Sequence, residues 1–290
     1  MKSKDHRRLG EWLVSLPSLG WLTVFFLIPS LVVFAIAFKP SNPYGGIDPG
    51  WTLATIRSLA SPAYGPIAWR TIWLSLLTTL ACILLATPTG YYIARSDPGR
   101  RRLLLLAVIV PFWTSFLIRI FAWKVLLHPD GFIKHALVSA SLVSPETSLL
   151  YSSGAVLLVM IYTFLPFAIL PIYAAAEKFD FRLTEVARDL GASAFGAFRR
   201  VFLPGISRGL VTAILVVFIP ALGAYVIPDL VGGPSGEMVG NKIAQRTFVD
   251  RNLPHASALS ACLMLAVLFP LLVVLTLQTQ KGDRGKVDET

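Results

Sequence analysis

The chain has 290 residues, 55% of them hydrophobic and 14% charged, with a mean hydropathy of +0.67. Water-facing surface needs charge, so a content this far below the roughly one quarter of soluble domains excludes an ordinary globule and reads as an integral membrane protein. The net charge of +10 sits in short basic clusters beside apolar runs, which argues against a nucleic-acid-binding domain.

A helix crossing about 30 Å of hydrocarbon needs roughly 20 apolar residues, because only a helix satisfies its own backbone hydrogen bonds within one segment in lipid. Six runs meet this, near residues 17–38, 68–94, 103–126, 151–175, 207–230 and 257–278, and predict an all-α bundle of six transmembrane helices in a single domain. Lys2, Lys4, Arg7 and Arg8 precede the first run, which is read as a retained span and not a cleaved leader. Residues 39–67 are rich in Pro and Gly and predict turns with a short helix around 52–60. The next loop, 95–102, carries Arg95, Arg100, Arg101 and Arg102. Residues 127–150 open on the turn signal His128-Pro129-Asp130-Gly131 and predict a short helix along the membrane face. The loop 176–206 and the tail after 278 are again basic. Positive charge near span ends stays in the cytoplasm, so both termini and the loops 95–102 and 176–206 are expected inside. Cys82 and Cys262 lie within apolar runs and read as small buried hydrophobes.

Several chemistries are set aside. Gly205-Ile206-Ser207-Arg208-Gly209 matches a hydrolase nucleophile elbow, but a helical insert stands where a strand is needed, so the small residues read as helix-packing positions. Gly191 and Gly196 have P-loop spacing without the following Lys and Ser or Thr, so no ATP site of that kind is expected. His6, His128, His135 and His255 form no metal-ligand pattern. No catalytic residues, metal or cofactor are expected in this chain.

The insert 184–205, TEVARDLGASAFGAFRRVFLPG, is the informative stretch. Leu183, Val186, Ala187 and Leu190 recur at helical spacing on one face; Gly191 follows where a left-handed residue ends a helix, and Ser193 is placed to cap a second helix presenting Phe195, Phe198 and Phe202 and stopping near Pro204. Two short helices meeting at a sharp turn, with exposed aromatic residues, are shaped to dock into a partner. The array Glu185-Val186-Ala187, Gly191, Val201, Leu203 and Pro204 resembles the Glu-Ala-Ala motif of permease subunits of binding-protein-dependent ABC importers, with Val186 and Val201 as mild departures.

That resemblance implies a type I importer permease bundle in a bacterial inner membrane, with a cytoplasmic coupling loop over 176–206. It implies an ATPase dimer as partner, carrying the ATP and Mg, together with a second homologous permease, a periplasmic solute-binding protein and membrane lipid. The stretches Pro111-Phe112-Trp113-Thr114, Leu117-Ile118-Arg119-Ile120, Leu165-Pro166 and Asp229-Leu230-Val231-Gly232-Gly233 are similar to the first permease of spermidine/putrescine importers. Permeases for opines, phosphonates, iron or thiamine share much of this pattern and stay open as alternatives. An ion-coupled secondary transporter is the reading of a different class, although no inverted repeat is visible. A polycation needs carboxylates or aromatic faces along its way, so Asp229, Tyr225, Trp113 and Tyr162 are the substrate-path candidates. Arg119, a base inside the third span, is expected in a structural ion pair, with Asp229 as a partner.

Overall fold

Proline, glycine and small residues decide where the apolar runs bend and where they touch. The computed structural model describes residues 15–42 and 44–269. Among the described residues three helices are long and apolar enough to cross a bilayer, Ser15–Ala37, Tyr64–Arg95 and Ser153–Glu177, and there are up to five such spans if two bent helix pairs are each counted as one. A shorter apolar helix, Leu253–Phe269, covers the described part of the sixth expected run, whose remainder lies outside the described residues. The basic N-terminus and tail also lie outside them.

The third run is not one straight helix. Pro98–Ile109 continues into a 3-10 turn, Val110–Trp113; Thr114 and Ser115 then go extended (ψ 152° and 137°), and Phe116–Leu126 leaves at 90°. Pro111 removes a helical donor at this joint, so continuous hydropathy here conceals a broken backbone. The fifth run differs too: its helix, Ser207–Leu222, ends at Gly223, and a separate turn, Pro228–Gly232, carries Asp229. Two short helices in the loops, Ala54–Ser58 and Phe132–Ser139, fall where turn signals bracket them.

The chain divides into two compact units. One takes the described parts of Met1–Gly65 and Lys242–Pro270. In it the bridge Ser41–Ile47 folds the loop back on itself, the Gly46 N–H reaches the Arg251 carbonyl at 3.0 Å, and Lys39 lies 4.0 Å over the Trp51 ring.

The other unit, from Pro66 to Asn241, is built on helix 153–177. Its first half joins a buried cluster with Leu74, Ile120, Leu150, Ile227, Val231 and Met238, and its second half joins another with Cys82, Ile93, Phe202, Ile206 and Val217. Helix 207–222 lies along it through the buried series Gly209, Ala213, Val217 and Ala221, one residue per turn. At Gly209 any Cβ would run into Ala175 and the Pro171 carbonyl, so only glycine permits this approach. That is the packing role expected for the small residues of 205–209. Pro166 and Pro171 lie within helix 153–177.

Candidate functional site

The insert folds as helix Arg182–Asp189, a turn, and helix Ala194–Gly205. Gly191 takes φ +90°, its N–H bonds the Arg188 carbonyl at 2.9 Å, and the Ala192 N–H bonds the Ala187 carbonyl at 3.0 Å. These paired reverse bonds satisfy the last carbonyls of the first helix, a closure that an L side chain at 191 would strain. Ser193 then accepts from the Gly196 N–H at 3.0 Å and starts the second helix. The turn and the cap thus lie at the residues the spacing marks. The exit lies there too: helix 194–205, its Phe198–Phe202 portion in the wider π form, ends one residue past Pro204 and bends by 73° into Ser207–Leu222.

The exposed side of the pair is apolar where solvent alone would favour polar residues. Leu183, Val186, Leu190 and Phe195 are exposed, Leu190 to 84% and Phe195 to 72%. Beside them Glu185, Arg188, Asp189, Ala192, Ser193 and Ala194 line an open notch of about 500 Å³. Ala187 and Val201 are half-buried, Leu203 is half-buried in the inner cluster, and Pro204 is exposed.

The expectation that all the aromatic residues of the second helix are exposed is corrected, because Phe202 is fully buried. Its ring meets Tyr91 at 4.8 Å, Phe179 at 5.3 Å and Phe198 at 5.3 Å, and Tyr91 also contacts Phe181. Tyr91 stands on helix 64–95 and Phe179 just beyond helix 153–177, so this cluster fastens the insert to the ends of two spans. A Cβ at Gly205 would collide with the Phe179 ring, which seats the helix end on the same cluster. Arg101, in the first turn of helix 98–109, ties the ends of the same two spans together: it pairs with Glu177 at 3.0 Å and donates to the Ala94 carbonyl, while Tyr173 donates to Glu177 at 2.7 Å. Sequence reasoning missed Tyr91, Phe179, Arg101 and Glu177; the only signal was the aromatic density of 179–202.

The path candidates do not converge on one place. Tyr225 and Arg119 line a groove of about 440 Å³ together with Phe116, Thr163, Phe167 and Pro220. Tyr162 stacks with Phe112 and meets Trp123 edge-on. Trp113, 77% exposed, ends the 3-10 turn, and Asp229 is exposed on its own turn with its N–H bonded to the Tyr225 carbonyl. Neither lines the groove.

The expected ion pair of Arg119 with Asp229 is corrected. Among the described residues Arg119 pairs with no carboxylate; its guanidinium lies 4.2 Å over the Phe112 ring, and its Nε and Nη1 are buried without hydrogen-bond partners. The break at 110–115 folds Phe112 back beneath Arg119, and the ring face takes the charge.

A family model described as the inner membrane component of binding-protein-dependent transport systems matches residues 86–280, which include the insert, helix 153–177 and the end of helix 64–95 that carries Tyr91. The chain belongs to this family. Similar permeases include the spermidine/putrescine transport system permease protein PotB of Haemophilus influenzae, 37% identical over 269 residues covering 93% of each chain. The Escherichia coli protein of the same name is 32% identical over 254 residues, 88% of this chain and 92% of that one. Among solved structures, a bacterial ABC transporter chain from a system importing the acidic polysaccharide alginate aligns with a TM-score of 0.71 at 19% identity, covering 96% of this chain and 97% of that chain. At that identity the likeness shows the type I importer permease fold. The chain is therefore a multi-pass membrane permease subunit of a transport system.

Proposed function

We propose that this permease is one transmembrane half of an ATP-driven importer that carries a polyamine of the spermidine/putrescine type across the inner membrane. The observation that carries the ATP-driven part is the Gly191-hinged helix pair, which leaves Leu183, Val186, Leu190 and Phe195 uncovered while Phe202 anchors it to two spans. An apolar face with a charged notch beside it suits a cleft on a separate ATPase subunit. Glu185, Val186, Ala187, Gly191, Val201, Leu203 and Pro204 are the coupling residues, and ATP and Mg act on that partner. The solute class rests on the PotB relatives.

In this reading a second, homologous permease encloses the path and a periplasmic binding protein delivers the solute. Nucleotide and loaded binding protein each bind the inward- and outward-facing states with different affinity, and that bias drives alternation. Both termini and the insert face the cytoplasm. Tyr225, Tyr162 and Trp113 offer ring faces to a polycation and Asp229 a carboxylate, while Arg119 stays on Phe112 as a structural base.

Proteoliposomes containing the permease pair, the ATPase and the binding protein test this reading. Labelled spermidine should enter only with ATP inside or at the ATPase face, and excess putrescine should compete while an opine, a phosphonate or a ferric chelate should not. Uptake that persists without the ATPase would establish a secondary transporter, and competition by one of the other solutes would reassign the cargo.

A further inference from the structure

The unit that contains the 38–65 loop holds a chain of polar groups outside the coupling and path residues named above. Arg246 Nη2 donates to Tyr64 Oη at 3.1 Å, and Tyr64 Oη lies 2.6 Å from His255 Nε2. On the other edge of the imidazole, Nδ1 faces Ser58 Oγ at 3.3 Å, and the Ser58 hydroxyl donates to the Thr55 carbonyl. Asp250 Oδ2 holds Arg246 at 2.8 Å, and the His255 N–H is fixed by Asn252 Oδ1 at 3.1 Å. These residues come from three separate segments: the helix 54–58, the first turn of helix 64–95, and the stretch 245–255. His255 is only 9% exposed.

Counting hydrogens fixes the direction of the chain. Tyr64 accepts from Arg246, so its own hydrogen points at His255, and Nε2 must be the bare acceptor nitrogen. Nδ1 then carries the ring proton and gives it to Ser58, whose hydrogen is already placed on Thr55. Along the string from Tyr64 through His255 and Ser58 to Thr55 each donor meets an acceptor while His255 is neutral, and only Arg246 Nε, to one side of it, is buried without a partner. A second proton on Nε2 sets two donors against each other across 2.6 Å. It also puts an imidazolium near the Arg246 guanidinium, a repulsion that Asp250 offsets only in part. Burial and Arg246 lower the His255 pKa from its ordinary 6.5, against the opposing pull of Asp250.

We propose that Tyr64, His255 and Ser58 form an acid-released clip that fastens the 245–255 stretch to helix 54–58 and to the first turn of helix 64–95, so that uptake falls as the outer medium acidifies. The clip rests on the proposed transport reading for its readout and on the proposed topology for the side that senses pH. Native His255 binds protons less readily than the unfolded residue does, so the clip's full stabilisation is present above about pH 6.5 and is lost as pH falls through the lowered native value. The amines of the cargo stay charged across this window, so the cargo does not itself titrate.

The test uses the complete reconstituted importer, with outside pH stepped from about 7.5 to about 5.5, a range that brackets an ordinary histidine. Wild-type uptake should fall at least about threefold across the step, as titration of one group over two pH units allows. His255→Gln, which stays neutral and keeps an acceptor for Tyr64, should transport near the wild-type level at both pH values. Tyr64→Phe, which lacks the hydroxyl, should sit near the acid level at both. A residue needed only for packing would change the level of uptake and leave the pH step in place. Hydrogen exchange of peptides spanning 245–256, corrected for intrinsic rates, should rise on acidification in wild type and not in His255→Gln. A pH step that survives in both variants, or exchange in this segment unchanged by acid in wild type, overturns the clip. Protection that is lost only when the inner compartment is acidified keeps the clip and overturns the topology. Loss of spermidine uptake at every pH with the exchange change intact faults the transport reading alone.

Discussion

Gly191 stands at φ +90° with no atom within 4 Å of where a Cβ would lie, so any cost of substitution there is conformational and not steric. For most side chains that cost is about 1–2 kcal/mol, less for Asn, which tolerates the left-handed region. Gly191→Val should therefore reduce ATP-coupled uptake by more than about tenfold, since 1.4 kcal/mol is already tenfold in an equilibrium and a β-branched side chain strains further. Gly191→Asn should retain most uptake, and both proteins should melt close to wild type in detergent. Equal loss in the two variants would mean the hinge conformation is not what matters. Gly191 and Ser193 were legible because capping is local chemistry, written within five residues of chain. Arg119 was not: its partner is a ring seven residues back, brought beneath it by a broken helix, and no spacing rule relates the two.

At the scale of elements, the aromatic cluster around Phe202 is the joint between the insert and the spans. Phe202 is fully buried among Tyr91, Phe179, Phe181 and Phe198. Truncation to Ala should destabilise the protein by about 3 kcal/mol, the usual cost of emptying a buried phenylalanine site. It should also weaken the coupling of ATP hydrolysis to uptake, seen as more ATP spent per solute moved, whereas Phe195→Ala, at an exposed position, should leave the melting temperature unchanged while lowering ATPase binding. If Phe202→Ala destabilises without changing that ratio, the cluster is packing only. Hydropathy located the long apolar runs because it reports burial in lipid. It was blind to the 90° break after Trp113 and to the end of helix 207–222 at Gly223, because apolar side chains continue across both while the backbone changes direction.

For the molecule as a whole, the placement of 176–206 decides whether a motor can reach the insert. A single cysteine at Phe195, with Cys82 and Cys262 replaced by Ser, should react with a membrane-impermeant maleimide in inside-out vesicles and not in intact cells. The opposite pattern would remove the basis for coupling. Phe195 suits the label because it is exposed and outside the buried clusters. The six-run pattern and the basic loops were readable from charge and hydropathy alone, but the way helix 153–177 serves two separate cores was not, since its low amphipathicity hides which turn faces which neighbour.

That shared helix has a mechanical consequence. Pro166 and Pro171 lack the N–H groups that would have reached back to the carbonyls of Tyr162 and Phe167, so two rungs are missing near its waist. A rod with gaps at mid-length flexes there first. In the proposed coupling, strain arriving at the Phe202 end would become a change of tilt about residues 162–171, and the far half would swing without either core having to melt.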